Sequence, residues 1–160
     1  MADPDPSARR LAGAIPVRHR YTPGVAGEAF LTALRDRGVF LASTCEACSL
    51  TYVPARLFCE RCFSELAADA EVGPEGTLVS STVVHVDADG ARLTHPIVVG
   101  LVRLDGASSA LLHTVLGGDA APPAIGARVR AVLLPRAERT GSILDVRGFR
   151  LLADDSSFAS

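Results

Sequence analysis

The sequence predicts a mainly β protein: one N-terminal helix, a short ribbon held by four cysteines, and a small five-stranded barrel. Three observations predict it. The four cysteines fall as two C-x-x-C pairs, Cys45/Cys48 and Cys59/Cys62, with ten residues between the pairs and no cysteine outside them. An apolar helical period runs ahead of the first pair, and five apolar, β-branched runs follow the second. At 160 residues and 48% hydrophobic content, the chain can bury one core of ordinary size, or a small domain beside a tiny one.

Residues 1–23 mix prolines, arginines and small residues without periodicity and read as an extended arm. Residues 24–38 form an amphipathic helix: Val25, Phe30, Leu31 and Leu34 recur at helical spacing, with Glu28, Arg35, Asp36 and Arg37 opposite. Gly38 stands where a left-handed cap ends a helix. Residues 39–72 form the ribbon. A strand at 39–44 enters the first cysteine pair, Tyr52-Val53-Pro54 leads away from it, and 66–71 returns as a strand.

After the turn cluster Gly73-Pro74-Glu75-Gly76, strand-like runs occupy 77–86, 96–104, 110–116, 128–134 and 143–151. They are separated by Asp87-Ala88-Asp89-Gly90, by Asp105-Gly106, by Gly117-Gly118 with Pro122-Pro123, and by 136–141. Five strands over 73–153 with no long helix predict a small closed barrel of the OB-fold type. Residues 154–160 are a polar tail.

A C-x-x-C places two thiolates on one tight turn, and two such turns facing each other complete the tetrahedral sulfur shell that Zn²⁺ accepts. Soft thiolates also suit iron, so an Fe(Cys)₄ centre stays open. Two disulfides are the bland alternative, but nothing in the chain looks secreted. A closed four-thiolate shell has no free coordination position and cannot activate water, so its role is structural. The ribbon is too short to bury a core of its own and takes its folding free energy from the metal. Arg56 and Arg61, close to the thiolates in sequence, soften the negative charge of the site.

Composition narrows the function. The net charge is −2 and all sixteen basic residues are arginine, without the basic excess of a nucleic-acid binder. No apolar run has the length of a membrane span, the opening Met1-Ala-Asp-Pro-Asp-Pro does not read as a signal peptide, and free thiols fit a reducing cytoplasm. No catalytic apparatus stands out. The cysteines are committed to metal, and His19, His85, His95 and His113 are scattered; His85 and His113 read as packed strand residues and His95 as a rim position. Ser80-Ser81-Thr82 lacks a G-x-S-x-G frame, and Gly117-Gly118-Asp119 lacks the lysine of a phosphate loop.

The order of parts is recognisable: Phe30-Leu31-x-x-Leu34, then Cys45-x-x-Cys48, Tyr52-Val53-Pro54-x-Arg56, Cys59-x-x-Cys62-Phe63, Gly76-Thr77-Leu78 and Ile125-Gly126-x-x-Val129. From about Gly24 to Leu152 this resembles the zinc-ribbon/OB-fold family formerly catalogued as domain of unknown function thirty-five. The resemblance implies a rubredoxin-like Cys₄ zinc ribbon ahead of the barrel and a non-catalytic subunit in a hetero-oligomer. The implied partner is a thiolase-like enzyme or aldolase that makes or breaks a C–C bond in an acyl-CoA, stabilised by this chain, which also helps bind the CoA. The family's first pair is usually followed by glycine, and here Ser49 must take that turn at some strain. CoA would need arginine forks for its phosphates. The candidates are Arg136 and Arg139 in the loop with Arg150 on the last strand, out of a local group that includes Arg128, Arg130 and Arg147. Two other readings stand beside this one: a single-stranded nucleic-acid module, for which the barrel offers only Phe149 as a stacking ring, and a rubredoxin-like electron carrier.

Overall fold

A computed structural model describes residues 21–117 and 121–152. Most of the expected arm, the polar tail and Gly118-Asp119 lie outside the described residues.

Helix α1 spans Gly24–Asp36 and buries Ala26, Phe30, Ala33 and Leu34. These positions, spaced four, three and one apart, form a single stripe. Val25, expected on that stripe, is instead 73% exposed. Five residues ahead of Phe30, it sits about 140° round the helix from it. The C-terminus follows expectation: Gly38 adopts φ +70° and its N–H reaches the carbonyls of Ala33 and Leu34, both at 3.1 Å.

Strand β1 (Phe40–Cys45) is the centre of a three-stranded antiparallel sheet, flanked by β2 (Leu50–Tyr52) and β3 (Ala70–Val72). Cys45 lies opposite Leu50 on one side, and Phe40 lies opposite Val72 on the other. The return strand is shorter than the expected 66–71 because the chain first closes on itself around the second cysteine pair. Phe58 bridges to Glu65, and Leu66 N–H donates to Leu57 O at 2.8 Å.

The barrel strands are β4 (Glu75–Val86), β5 (Arg92–Leu104), β6 (Leu111–Leu116), β7 (Arg128–Leu133) and β8 (Val146–Leu151). They close in the order β4-β5-β6-β8-β7, with β7 pairing back onto β4. Among the described strands only β6 and β8 run parallel, Val115 opposite Phe149. This is the five-stranded Greek-key barrel of an OB-fold. Two limits among these strands differ from expectation by three residues or more. β5 begins at Arg92 rather than at 96, because the Asp87 carboxylate accepts N–H bonds from Asp89 at 3.0 Å and Ala91 at 2.9 Å and tightens the turn. The run at 143–151 opens with a 3₁₀ turn, Ile143–Asp145, before β8 starts. Ser142 and Asp145 form a capping box there, which holds the backbone out of the strand conformation.

Gly148 allows the last closure. A Cβ at this residue would lie 2.8 Å from Thr114 O and 2.8 Å from Leu116 Cγ, inside β6. One continuous apolar core joins the parts: Phe30 and Leu34 of α1, Phe40–Ala42 of β1, and Leu78, Val102, Val129 and Phe149 of the barrel. A separate small cluster contains Cys45, Tyr52 and Cys59, with Cys48, Leu50 and Leu66 against it. The ribbon also has polar ties to the barrel. Ser109 Oγ accepts from Val53 N–H at 2.7 Å and donates to Val53 O at 2.9 Å, while Ser108 Oγ accepts from Thr51 N–H at 3.0 Å.

Candidate metal centre

Each cysteine pair needs a turn that brings its backbone N–H groups round toward the sulfurs. In both, the residue after the second cysteine takes the left-handed conformation: Ser49 at φ 54° and Phe63 at φ 60°. Neither is glycine, so both turns carry local strain, which for a bulky side chain such as Phe63 is uncommon. Phe63 N–H closes its turn on Cys59 O at 2.9 Å, and Ser49 N–H closes the other on Glu46 O at 3.3 Å.

The four Sγ atoms of Cys45, Cys48, Cys59 and Cys62 all lie within 4.8 Å of one another, with Cys45 and Cys62 at 3.5 Å. A tetrahedral shell at the usual Zn–S length of about 2.3 Å sets sulfurs about 3.8 Å apart. The donor set and its spacing therefore fit a structural Zn²⁺ site. Cys45 and Cys59 are buried, and Cys62 is exposed at the rim.

The environment of the sulfurs is asymmetric. The Tyr52 hydroxyl lies 3.2 Å from Cys59 Sγ, Arg61 N–H reaches the same sulfur at 3.4 Å, and the Ser64 hydroxyl lies 3.0 Å from Cys62 Sγ. The Tyr52 hydroxyl first, against burial and with help from the N–H groups of Cys62 and Arg61, draws the Cys59 thiol down to about 6. Ser64 likewise brings Cys62 below the ordinary thiol range. The first pair moves the other way. Burial raises Cys45, and the hydrogen bond to Cys62 followed by burial pushes Cys48 up to about 12. Four thiolates this close repel one another, so a bound cation is what lets the first pair ionise.

Arg56, expected to soften the site's charge, makes no contact with a sulfur. Its guanidinium lies over the Tyr52 ring, 4.8 Å from the centroid, and pairs with Glu60 at 2.6 Å. The sequence carried no sign that Tyr52 would reach a ligand. Its place seven residues before Cys59, on a strand facing the second pair, becomes meaningful only once the ribbon folds.

The arginine candidates do not converge. Arg136 is exposed in the 3₁₀ turn Arg136–Glu138 that follows β7. Arg139 is turned inward: its Nε donates to Leu134 O at 2.8 Å, and its guanidinium packs where a Cβ on Gly38 would stand. Arg150 is exposed on β8, opposite Arg130 and four residues beyond the Val146 end of the hairpin, about 13 Å along the strand. Arg128 and Arg130 are engaged by acids, Arg128 with Asp105 at 2.5 Å and Arg130 with Glu75 at 2.9 Å. Among the histidines, His113 is packed as expected, its ring edge-on to Phe149 with centroids 6.1 Å apart. His85 is exposed rather than packed, and His95 is exposed.

No described helix is long and apolar enough to cross a membrane. Two family models match the chain in the order the fold shows. Residues 32–67 match the ChsH2 rubredoxin-like zinc ribbon domain, and residues 69–134 match the ChsH2 C-terminal OB-fold domain. No curated protein matches the sequence. Among solved structures, the chain is similar to a protein of unknown function from the DUF35 family of Sulfolobus solfataricus. That match has a TM-score of 0.59 at 26% identity, over 80% of this chain and 84% of the other. It also shares its fold with a chain of the Ltp2-ChsH2(DUF35) aldolase, with a TM-score of 0.54 at 23% identity, over 78% of this chain and 93% of that one. With a four-cysteine ribbon and an OB barrel each matched in its expected place, the chain belongs to the ChsH2-type (DUF35) zinc-ribbon/OB-fold family.

Proposed function

We propose that the chain is a non-catalytic accessory subunit that assembles with a thiolase or aldolase acting on CoA thioesters in the reducing cytoplasm, stabilises it, and helps hold the CoA moiety. The observation that carries this reading is the pairing of a ChsH2-type ribbon with a ChsH2-type barrel in one chain. A chain of the same architecture occurs in the Ltp2-ChsH2(DUF35) aldolase. A closed sulfur shell suits the role, because it fixes a surface without supplying a reactive centre. In this reading Arg136 and Arg150, the exposed members of the candidate set, supply phosphate contacts separately rather than as one clamp. Arg139 would have to leave the helix cap to join them.

Affinity purification of the tagged chain from its native host is the test. The expected result is co-purification of a thiolase-like or aldolase subunit together with about one zinc per chain. Cys59→Ser, which removes a buried ligand, should lose both the zinc and the partner. Purification of the intact, zinc-loaded chain with no such subunit, or thioester turnover by the isolated chain at an enzymatic rate, would refute the proposal.

A further inference from the structure

Tyr52 is 1% exposed, and its ring fills the small cluster around the cysteines. Phenylalanine would fill that volume nearly as well, so packing does not account for the hydroxyl. That hydroxyl lies 3.2 Å from Cys59 Sγ. A metal-bound Cys59 is a thiolate with no proton to give, so the hydrogen bond has one direction: the Tyr52 O–H donates and the sulfur accepts. The Arg56 guanidinium covers one face of the ring, 4.8 Å from its centroid, and is held there by Glu60 at 2.6 Å. A divalent ion with four thiolates carries a net charge of about −2. Here it sits on two sulfurs removed from water, where uncompensated charge is costly.

We infer that Tyr52 is an outer-sphere donor to the metal's thiolate shell, drawing negative charge off the Cys59 sulfur. Tyr52 is a positioning residue in this scheme, acting through Cys59. Ser64 does the same work for Cys62 from the solvent side, 3.0 Å from that sulfur. The second pair is thus the half of the site held by side-chain hydroxyls as well as by backbone. This inference is independent of the accessory role and of any partner.

The test uses the full chain loaded with Co²⁺ for spectroscopy and with Zn²⁺ for chelator competition. In Tyr52→Phe the Cys59 sulfur becomes more electron-rich. The sulfur-to-cobalt charge-transfer bands should then move to longer wavelength, and Zn²⁺ affinity should fall by about 10–100-fold. A second arm makes Tyr52 the sole tyrosine by Tyr21→Phe and replaces it biosynthetically with 3-fluorotyrosine, a stronger donor of nearly the same shape. Relative to Tyr21→Phe, those bands should move to shorter wavelength. A purely packing role would not shift the bands in opposite directions. Unchanged bands in both proteins would overturn the inference, and if Tyr52→Phe fails to fold, the fluorotyrosine protein decides alone.

Discussion

Asp145 sits 1% exposed at the foot of β8 and still accepts four bonds, from the N–H groups of Thr140, Gly141 and Ser142 and from the Thr140 hydroxyl. Burial pushes its carboxyl up, but these donors outweigh burial and leave it below the ordinary carboxylate range. A carboxyl depressed in the folded state stabilises the fold above its unfolded pKa of about 3.9, and the contribution is lost as pH falls through the lower folded value. Asp145→Asn should therefore cost about 1.5–3 kcal/mol at neutral pH. In paired denaturant titrations of wild type and variant, the gap should narrow below about pH 4. The signal was present in the sequence as Ser142-x-x-Asp145, a capping box, but Ile143 and Leu144 made the segment read as strand. Both prove exposed, at 39% and 72%. At Ser49 the opposite held: the departure from glycine predicted local strain, and the positive φ follows.

The helix was legible as an element because Phe30, Leu34 and Gly38 each have a distinct job. Its rotation was harder to read, since the alanines at 26 and 33 carry little weight in an apolar pattern and Val25 carries much. Buried small residues let α1 approach β1 closely. The cap at Gly38 is used twice, because its missing side chain also makes room for Arg139. Gly38→Ala should destabilise the fold by about 1–2 kcal/mol from the left-handed backbone alone, and it must also displace the Arg139 guanidinium. Thermal or chemical denaturation checks this. Arg139 illustrates the limit of reading charge from sequence. A loop arginine looks available for phosphate, whereas its Nε is spent on Leu134 O and its terminal nitrogens lie over a helix end that attracts cations. Arg128 and Arg130 are similarly tied to acids that stand far off in the chain.

At the scale of the whole molecule, alternating apolar runs and four cysteines were enough to predict the helix, the ribbon and the barrel. How the pieces join was not readable from them. The serines at 108 and 109 give no sequence sign that they will bind the backbone of Thr51 and Val53. Nor does the apolar pattern show that the helix and β1 will share one core with the barrel. These ties pack the ribbon against the OB-fold as one body rather than as a bead on a linker.

Strand β1 belongs to both clusters, with Phe40–Ala42 in the large apolar core and Cys45 in the sulfur cluster. Stripping the metal with a chelator should therefore melt the protein from one end. Amide protons near Cys45, Tyr52 and Cys59 should exchange quickly, while those at Phe40–Ala42 and in the barrel stay protected, as hydrogen–deuterium exchange can read. Uniform loss of protection would mean that the ion holds up the barrel as well. Partial loss would make the cysteine tip a detachable fitting, able to follow the zinc supply while the rest of the body stays folded and ready to be reloaded.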